Sequence, residues 1–154
     1  MGKKMLQVSS SYSLCISLQS VCEGRAGLDA HRKSILQKVP NQNEWAKFEQ
    51  ASLTVKDIAF LSAKTKDEFA ILRGKRKDIL FHGEHNSCCF AGVLVDMLES
   101  GKLKLYAHSH PERNPLPSKA DRELLQRMGQ KNSKIISWTT GRVITFSQNF
   151  FEFL

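Results

Sequence analysis

The chain has 154 residues, 41% hydrophobic and 25% charged, with 23 lysines and arginines against 15 aspartates and glutamates for a formal charge of +8. This is a globular composition, long enough to bury a core in one compact domain, and it excludes a fibrous or wholly disordered chain; no apolar run approaches the length of a transmembrane helix. The positive balance suits an acidic partner such as nucleic acid, an anionic surface or an acidic protein, while the scattering of the cations along the sequence fits a solvated basic surface as the simpler reading.

The four cysteines, Cys15, Cys22, Cys88 and Cys89, show no Cys-x-x-Cys spacing, and adjacent cysteines rarely bridge to each other. A reduced, cytoplasmic compartment is the simplest inference. The basic start at Lys3 and Lys4 is followed by a stretch, Gln7 to Ser20, broken by serines and glutamines, unlike the apolar region of a secretory signal. Leu6 stands where myristoylation of Gly2 needs serine or threonine.

The chain changes character near residue 50, so residues 1–50 are expected to be an unassigned extension ahead of a domain spanning residues 51–154. In the first part, Ser9 to Ser13 is serine-rich, and Asp29 to Val39 is predicted to be a helix ended by Pro40. Asn43 to Gln50 is read as a second short helix with Trp45 and Phe48 on one face. Beyond Ser52, the segments Ile58 to Leu61, Glu68 to Leu72 and Asp78 to His82 are predicted strands, the last two joined by a basic turn around Gly74. Cys88 to Glu99 carries Phe90, Val93, Leu94, Met97 and Leu98 at helical spacing, with Gly101 as the C-cap. Lys102 to His110 alternates as a strand, with Leu103, Leu105 and Ala107 on one face and Lys104, Tyr106, His108 and His110 on the other. Ser118 to Gly129 follows as a helix with Leu124, Leu125 and Met128 as its buried stripe, and a hairpin of Ile135–Trp138 and Val143–Phe146 turns at Thr140-Gly141. There is no internal repeat, and the order of elements predicts an α/β sandwich on one mixed sheet.

The chemistry concentrates in the run from His108 to Asp121. Side chains at i and i+2 of a strand share a face, so His108 and His110 point the same way. Pro111, Pro115 and Pro117 stiffen the loop that follows, so that Asp121, in the first turn of the next helix, can return to the imidazoles at little ordering cost. Two histidines and a carboxylate supply three ligands to a divalent ion such as Zn2+ and leave the fourth tetrahedral position for water, the arrangement of a catalytic site. Ser118-x-x-Asp121 also reads as a capping box, and the two roles are compatible because a helix N-terminus stabilises a carboxylate. His82 and His85 have a spacing that allows ligation, but isolated histidines near a turn are more often solvated; Cys88 and Cys89 read as helix-face packing residues.

His108-Ser109-His110-Pro111, seven residues, then Ser118-x-x-Asp121 resembles the motif of the JAB/MPN (JAMM) zinc metallopeptidases, in their prokaryotic form. The resemblance runs from about Ser52 to Ser147 and implies a cytidine-deaminase-like α/β/α sandwich, with His108, His110 and Asp121 as zinc ligands and Ser118 stabilising the tetrahedral intermediate. The family also needs an upstream glutamate before an apolar run ending in glycine, and Glu68-Phe69-Ala70-Ile71-Leu72-Arg73-Gly74 matches that context. Glu68 is therefore the implied general base, with Glu84 in His82-Gly83-Glu84-His85 as its rival. The implied reaction is hydrolysis of a peptide or isopeptide bond in a protein substrate, for instance one bearing a ubiquitin-like or sulfur-carrier protein.

Two other readings stand beside this one. A RadC-like branch shares His-x-His-Pro and Pro-x-Pro-Ser and would use the positive charge on DNA, but Glu112-Arg113 replaces the Ser-Gly usual after the first proline. A non-catalytic MPN-type scaffold would lack one or more ligands, whereas all three are present here. Other zinc signatures are absent: there is neither His-Glu-x-x-His nor the His-x-Glu with Pro-Cys-x-x-Cys of nucleobase deaminases.

Overall fold

A computed structural model describes residues 5–9 and 29–149. The basic start at Lys3 and Lys4, the serines beyond Ser9, and Cys15 and Cys22 lie outside the described residues. In chain order the elements are β1 (Met5–Ser9), α1 (Ala30–Lys38), β2 (Trp45–Glu49), α2 (Val55–Thr65), β3 (Phe69–Arg73), β4 (Lys77–His82), β5 (Ser87–Ala91), α3 (Val93–Glu99), β6 (Lys104–His110), α4 (Lys119–Met128), β7 (Asn132–Ser137) and β8 (Val143–Ser147).

Six strands form one mixed sheet in the order β2-β4-β3-β6-β7-β8, and β1 pairs with β5 in a separate two-stranded ribbon. Within the large sheet only β6 and β7 run parallel. A parallel pair cannot be closed by a tight turn, so the chain leaves β6, crosses through α4 and re-enters as β7. On one face α1 and α2 cover the sheet with Ile35, Ile58, Phe60 and Leu61 against Phe69, Ile71, Leu80 and Ala107. The opposite face is covered by β5, α3 and α4, which set Phe90, Leu94, Leu98 and Leu124 against Ala70, Leu72, Phe81 and Leu105. The chain is thus mixed α/β, as expected, with helices on both faces of its main sheet.

Several local expectations are corrected. Ile58 to Leu61 is the middle of helix α2 and not a strand. A short apolar run buried on all sides has no usable period, and the deciding signal is the cap: Thr54 Oγ1 accepts from the Asp57 backbone while the Asp57 carboxylate accepts from Thr54 N at 2.8 Å. Asn43 to Gln50 is not a helix but contains edge strand β2, hydrogen-bonded to β4 from Trp45 opposite Phe81 to Glu49 opposite Lys77. Strand geometry sends Trp45 and Phe48 to opposite faces, leaving Trp45 37% exposed and Phe48 in the core at 7%. Ile35 and Phe48 belong to the same core cluster as α2 and β3, so the core reaches back before residue 51.

Cys88 to Glu99 is not one helix. Ser87–Ala91 pairs antiparallel with β1, Gly92 then turns the chain at φ +62°, a conformation that glycine reaches without a Cβ penalty, and only Val93–Glu99 is helical. Cys88 and Cys89 therefore sit on a strand as free thiols, the first fully buried. Strand β6 carries the last correction. Its pairing with β3 slips between Leu72 opposite Leu105 and Ile71 opposite Ala107, which makes Tyr106 the extra residue of a β-bulge. The bulge reverses the alternation, so Leu105 packs with Leu72 on one face while Ala107 packs with Ile71 on the other.

Phe60→Ala, at a side chain 1% exposed between α2 and the sheet, should lower unfolding stability by about 3–5 kcal/mol. Val93→Ala, 54% exposed, should change it by less than about 0.5 kcal/mol. Urea denaturation of the two variants measures the contrast, and equal losses would contradict the packing described.

Candidate metal centre

The bulge at Tyr106 decides where the histidines point. Past it, His108 lies directly opposite Ala70 of β3, so both point to the face covered by α3 and α4, and His110 follows on that face two residues later. Ser109 points to the other side, where its Oγ lies 2.7 Å from Ser62 Oγ of α2 and accepts from Phe69 N at 2.9 Å. That buried serine ties the end of β6 to both α2 and β3, and Trp138 N donates to His110 O at 3.1 Å from the β7 side. The strand end bearing the imidazoles is therefore held by three elements.

From His110 the chain passes Pro111, Pro115 and Pro117, all buried, and enters α4 with Ser118 as N-cap. Ser118 Oγ accepts from Asp121 N at 3.1 Å, and Asp121 Oδ2 accepts in return from Ser118 N at 2.8 Å. This closes the capping box and aims the carboxylate back at β6. Asp121 Oδ1 lies 3.3 Å from His108 Nε2, Asp121 Oδ2 lies 3.2 Å from His110 Nε2, and the two Nε2 atoms are 2.9 Å apart. All three residues are at most 1% exposed.

These separations fit a single divalent ion. Ligands at zinc distances of about 2.0–2.1 Å in a tetrahedron lie roughly 3.3 Å from one another. One ligand atom from each residue falls within 4.8 Å of the other two, a group that His108, His110 and Asp121 alone form among the described residues. Two ring nitrogens facing each other at 2.9 Å share at most one proton or direct both lone pairs at a cation. Burial pushes the His110 imidazole below its ordinary pKa, against the opposing pull of Asp121, which favours the neutral, ligating form. Burial would raise the Asp121 carboxyl, but the charges of and hydrogen bonds to His108 and His110 outweigh it and hold the group well below the usual carboxylate range.

Glu68 is fully buried immediately before β3. Its N donates to Glu84 O at 2.8 Å and its O accepts from Gly83 N at 2.8 Å, so the backbone is fixed on both sides. Two residues before Ala70, it occupies the face that Ala70 shares with His108 and His110, displaced toward the His110 end of β6. The neighbouring Cys88 thiol is pushed well above its ordinary pKa by burial, with the charges of Glu68, Cys89 and Asp121 adding to the effect. Gly83 is needed here, because a Cβ would meet Ser87 O at 2.4 Å and Cys88 Sγ at 2.7 Å.

The rival carboxylate Glu84 is exposed, its side chain accepting from Asn43 Nδ2 at 3.1 Å. His85 is exposed, but His82 is not solvated as expected: it is 8% exposed, stacked on Phe69 at 4.3 Å, with Nε2 2.7 Å from Asp67 Oδ2 and Nδ1 2.8 Å from Pro40 O. Two polar residues near the centre have no counterpart in the sequence reading. Glu112 Oε2 lies 3.8 Å from His110 Nδ1, within ion-pair but beyond hydrogen-bond distance, and its i+2 spacing from His110 was the available signal. Ser109, the residue between the histidines, has no such signal, because its partners are remote in sequence.

In the metal-free chain, the His110 shift predicts acid sensitivity. The folded chain refuses a proton that the unfolded imidazole takes up below about pH 6.5, so stability is full above that pH and falls below it; Asp121 adds a second loss below about pH 4. The urea midpoint in chelator should be lower at pH 5.5 than at pH 7.5, and the difference should shrink in His110→Gln. Equal slopes in the two proteins would contradict this assignment.

The sequence matches no protein-family model, and no curated protein and no solved structure is significantly similar to it.

Proposed function

We propose that this chain is a zinc-dependent metallopeptidase of the JAB/MPN (JAMM) type, with a cytidine-deaminase-like sandwich, hydrolysing a peptide or isopeptide bond in a protein substrate. The observation that carries the reading is the convergence of His108 Nε2, His110 Nε2 and the Asp121 carboxylate in a buried group with Glu68 on the same face of the sheet. Three ligands leave one tetrahedral position open, as hydrolytic zinc sites require. Bound there, zinc supplies Lewis acidity toward a carbonyl and brings water toward ionisation at neutral pH.

The chain's own residues divide the remaining work. His108, His110 and Asp121 hold the ion, and the negative charge of Glu112 lies 3.8 Å from His110 Nδ1. Glu68 takes the proton of the attacking water and returns it to the departing amine, a role suited to a buried carboxylate on a fixed backbone. Ser118 Oγ uses a lone pair to accept from Asp121 N, leaving its O–H to donate to the developing oxyanion. A reducing cytoplasm suits the free thiols Cys88 and Cys89.

Purified chain should bind one zinc ion, and Asp121→Ala should lose it. Glu68→Gln should keep the zinc and lose about 10²–10⁴-fold in kcat toward a peptide or isopeptide substrate. Zinc content by elemental analysis, read beside turnover, separates the outcomes. Wild-type chain that folds but takes up no zinc would overturn the proposal, and zinc binding with no dependence of turnover on Glu68 would favour a non-catalytic scaffold.

A further inference from the structure

The end of the sheet opposite the metal centre carries a different feature. Between the β3–β4 turn and the turn from α3 into β6 lies a cleft of about 460 Å³ lined by Lys47, Lys75, Arg76, Lys77 and Lys102 and floored by Ile79, Met97 and Leu103. No acidic side chain lines it, and none of the five cations forms a salt bridge among the described residues. Of the nearby acids, Asp78 is buried and held by Arg73, Glu99 is paired with Arg127, and Glu49 stands outside the lining, opposite Lys77 in the β2–β4 register. The walls are held close because residue 74 is glycine: a Cβ there would crowd Leu103 Cδ2 and Lys77 O, each at 3.1 Å.

We propose that this cleft docks an acidic segment of a partner polypeptide that also presents an aliphatic side chain. Four lysines and one arginine around a concave surface attract carboxylates from several directions, and the apolar floor gives an aliphatic side chain somewhere to leave water. Single-stranded nucleic acid fits less well, because it needs open aromatic faces on which bases stack. Among the described residues, the cleft lining contains no aromatic residue. In a separate hollow, the Tyr106 ring is covered by Arg73 at 3.7 Å and approached by Lys134 at 5.1 Å. Strand β6 begins beside the cleft at Lys104 and ends in the metal centre at His110, which puts roughly 20 Å between the two sites. Docking there leaves the metal centre accessible and does not depend on its being catalytic.

Fluorescence anisotropy of the full chain at physiological salt tests this with three labelled probes of equal net charge: a glutamate-rich peptide interspersed with leucines, a polyglutamate peptide and an oligothymidylate. The leucine-containing peptide should bind tightest. Combined reversal of Lys75→Glu, Arg76→Glu and Lys102→Glu should weaken it by about tenfold or more, while Lys33→Glu on exposed α1 leaves it unchanged. Met97→Ser should erase the preference for the leucine-containing peptide over polyglutamate. If the triple reversal disturbs folding by circular dichroism, Lys75→Ala with Arg76→Ala should give a smaller loss in the same direction. Absence of peptide binding, unchanged affinity in the folded cleft variants, or tighter binding of oligothymidylate would overturn the proposal. Zinc content is indifferent to all of these substitutions, so failure here is distinguishable from failure of the metallopeptidase reading.

Discussion

The Asp121 carboxylate serves two structures at once, and the candidate metal centre depends on that sharing. Oδ2 accepts from Ser118 N to complete the N-cap of α4 while facing His110, and Oδ1 faces His108. A fully buried carboxylate is stable as an anion only if donors or a cation meet its lone pairs; here Ser118 N–H meets Oδ2, and both oxygens face the imidazole Nε2 atoms across the position a cation would take. The constraint spreads outward: α4 must start where it does, the three prolines must bring the chain back from β6, and β6 must end with both imidazoles on the α4 side. The parallel β6–β7 pair follows from the same path, because the helix that delivers Asp121 is also the crossover between those strands.

Strand β6 is the axis of the molecule. The bulge at Tyr106 divides it into a half whose register puts Leu105 beneath α3 and a half whose register turns His108 and His110 to that same face. Without the extra residue, the alternation that buries Leu105 there would put the imidazoles against α2. The Tyr106 ring, partly buried and flanked by Arg73 and Lys134, closes the outer end of the strand, and Ser109 closes the inner end against Ser62 and Phe69. The strand thus separates a buried end dense in titratable side chains from an exposed cationic one. The formal charge of +8, which reads as scattered along the sequence, is gathered in part at that second end by the meeting of two turns and the edge strand β2.

Much of the centre was legible in the sequence because its logic is local. His108 and His110 share a strand face by spacing alone, and Ser118 with Asp121 fits the capping box that the structure forms. The burial of Glu68 and exposure of Glu84 were not local facts, since both lie beside the β3–β4 pair in similarly polar surroundings. The difference arises because Glu68 is drawn into the interior with its backbone bonded to Gly83 and Glu84, while the Glu84 side chain is exposed beside Asn43. His82 was misread for the same reason: its partners, Asp67 and Pro40, come from segments 15 and 42 residues away.

By itself the sequence determined the elements whose signals are complete within a few residues: α1, β3, β4, β6, α4 and the closing hairpin, together with the grouping of His108, His110 and Asp121. Spacing on a strand and capping of a helix are geometric facts about neighbouring residues, and no distant partner has to be known. The helix over Ile58 to Leu61 is also signalled locally, by the Thr54–Asp57 capping box, whereas tertiary structure alone decided that Trp45–Glu49 and Ser87–Ala91 are strands and that Ala107 turns away from Leu105. In each case the segment's preference is weak. The state is chosen by what lies beside it: β4 beside β2, β1 beside β5, and the register of β3 against β6.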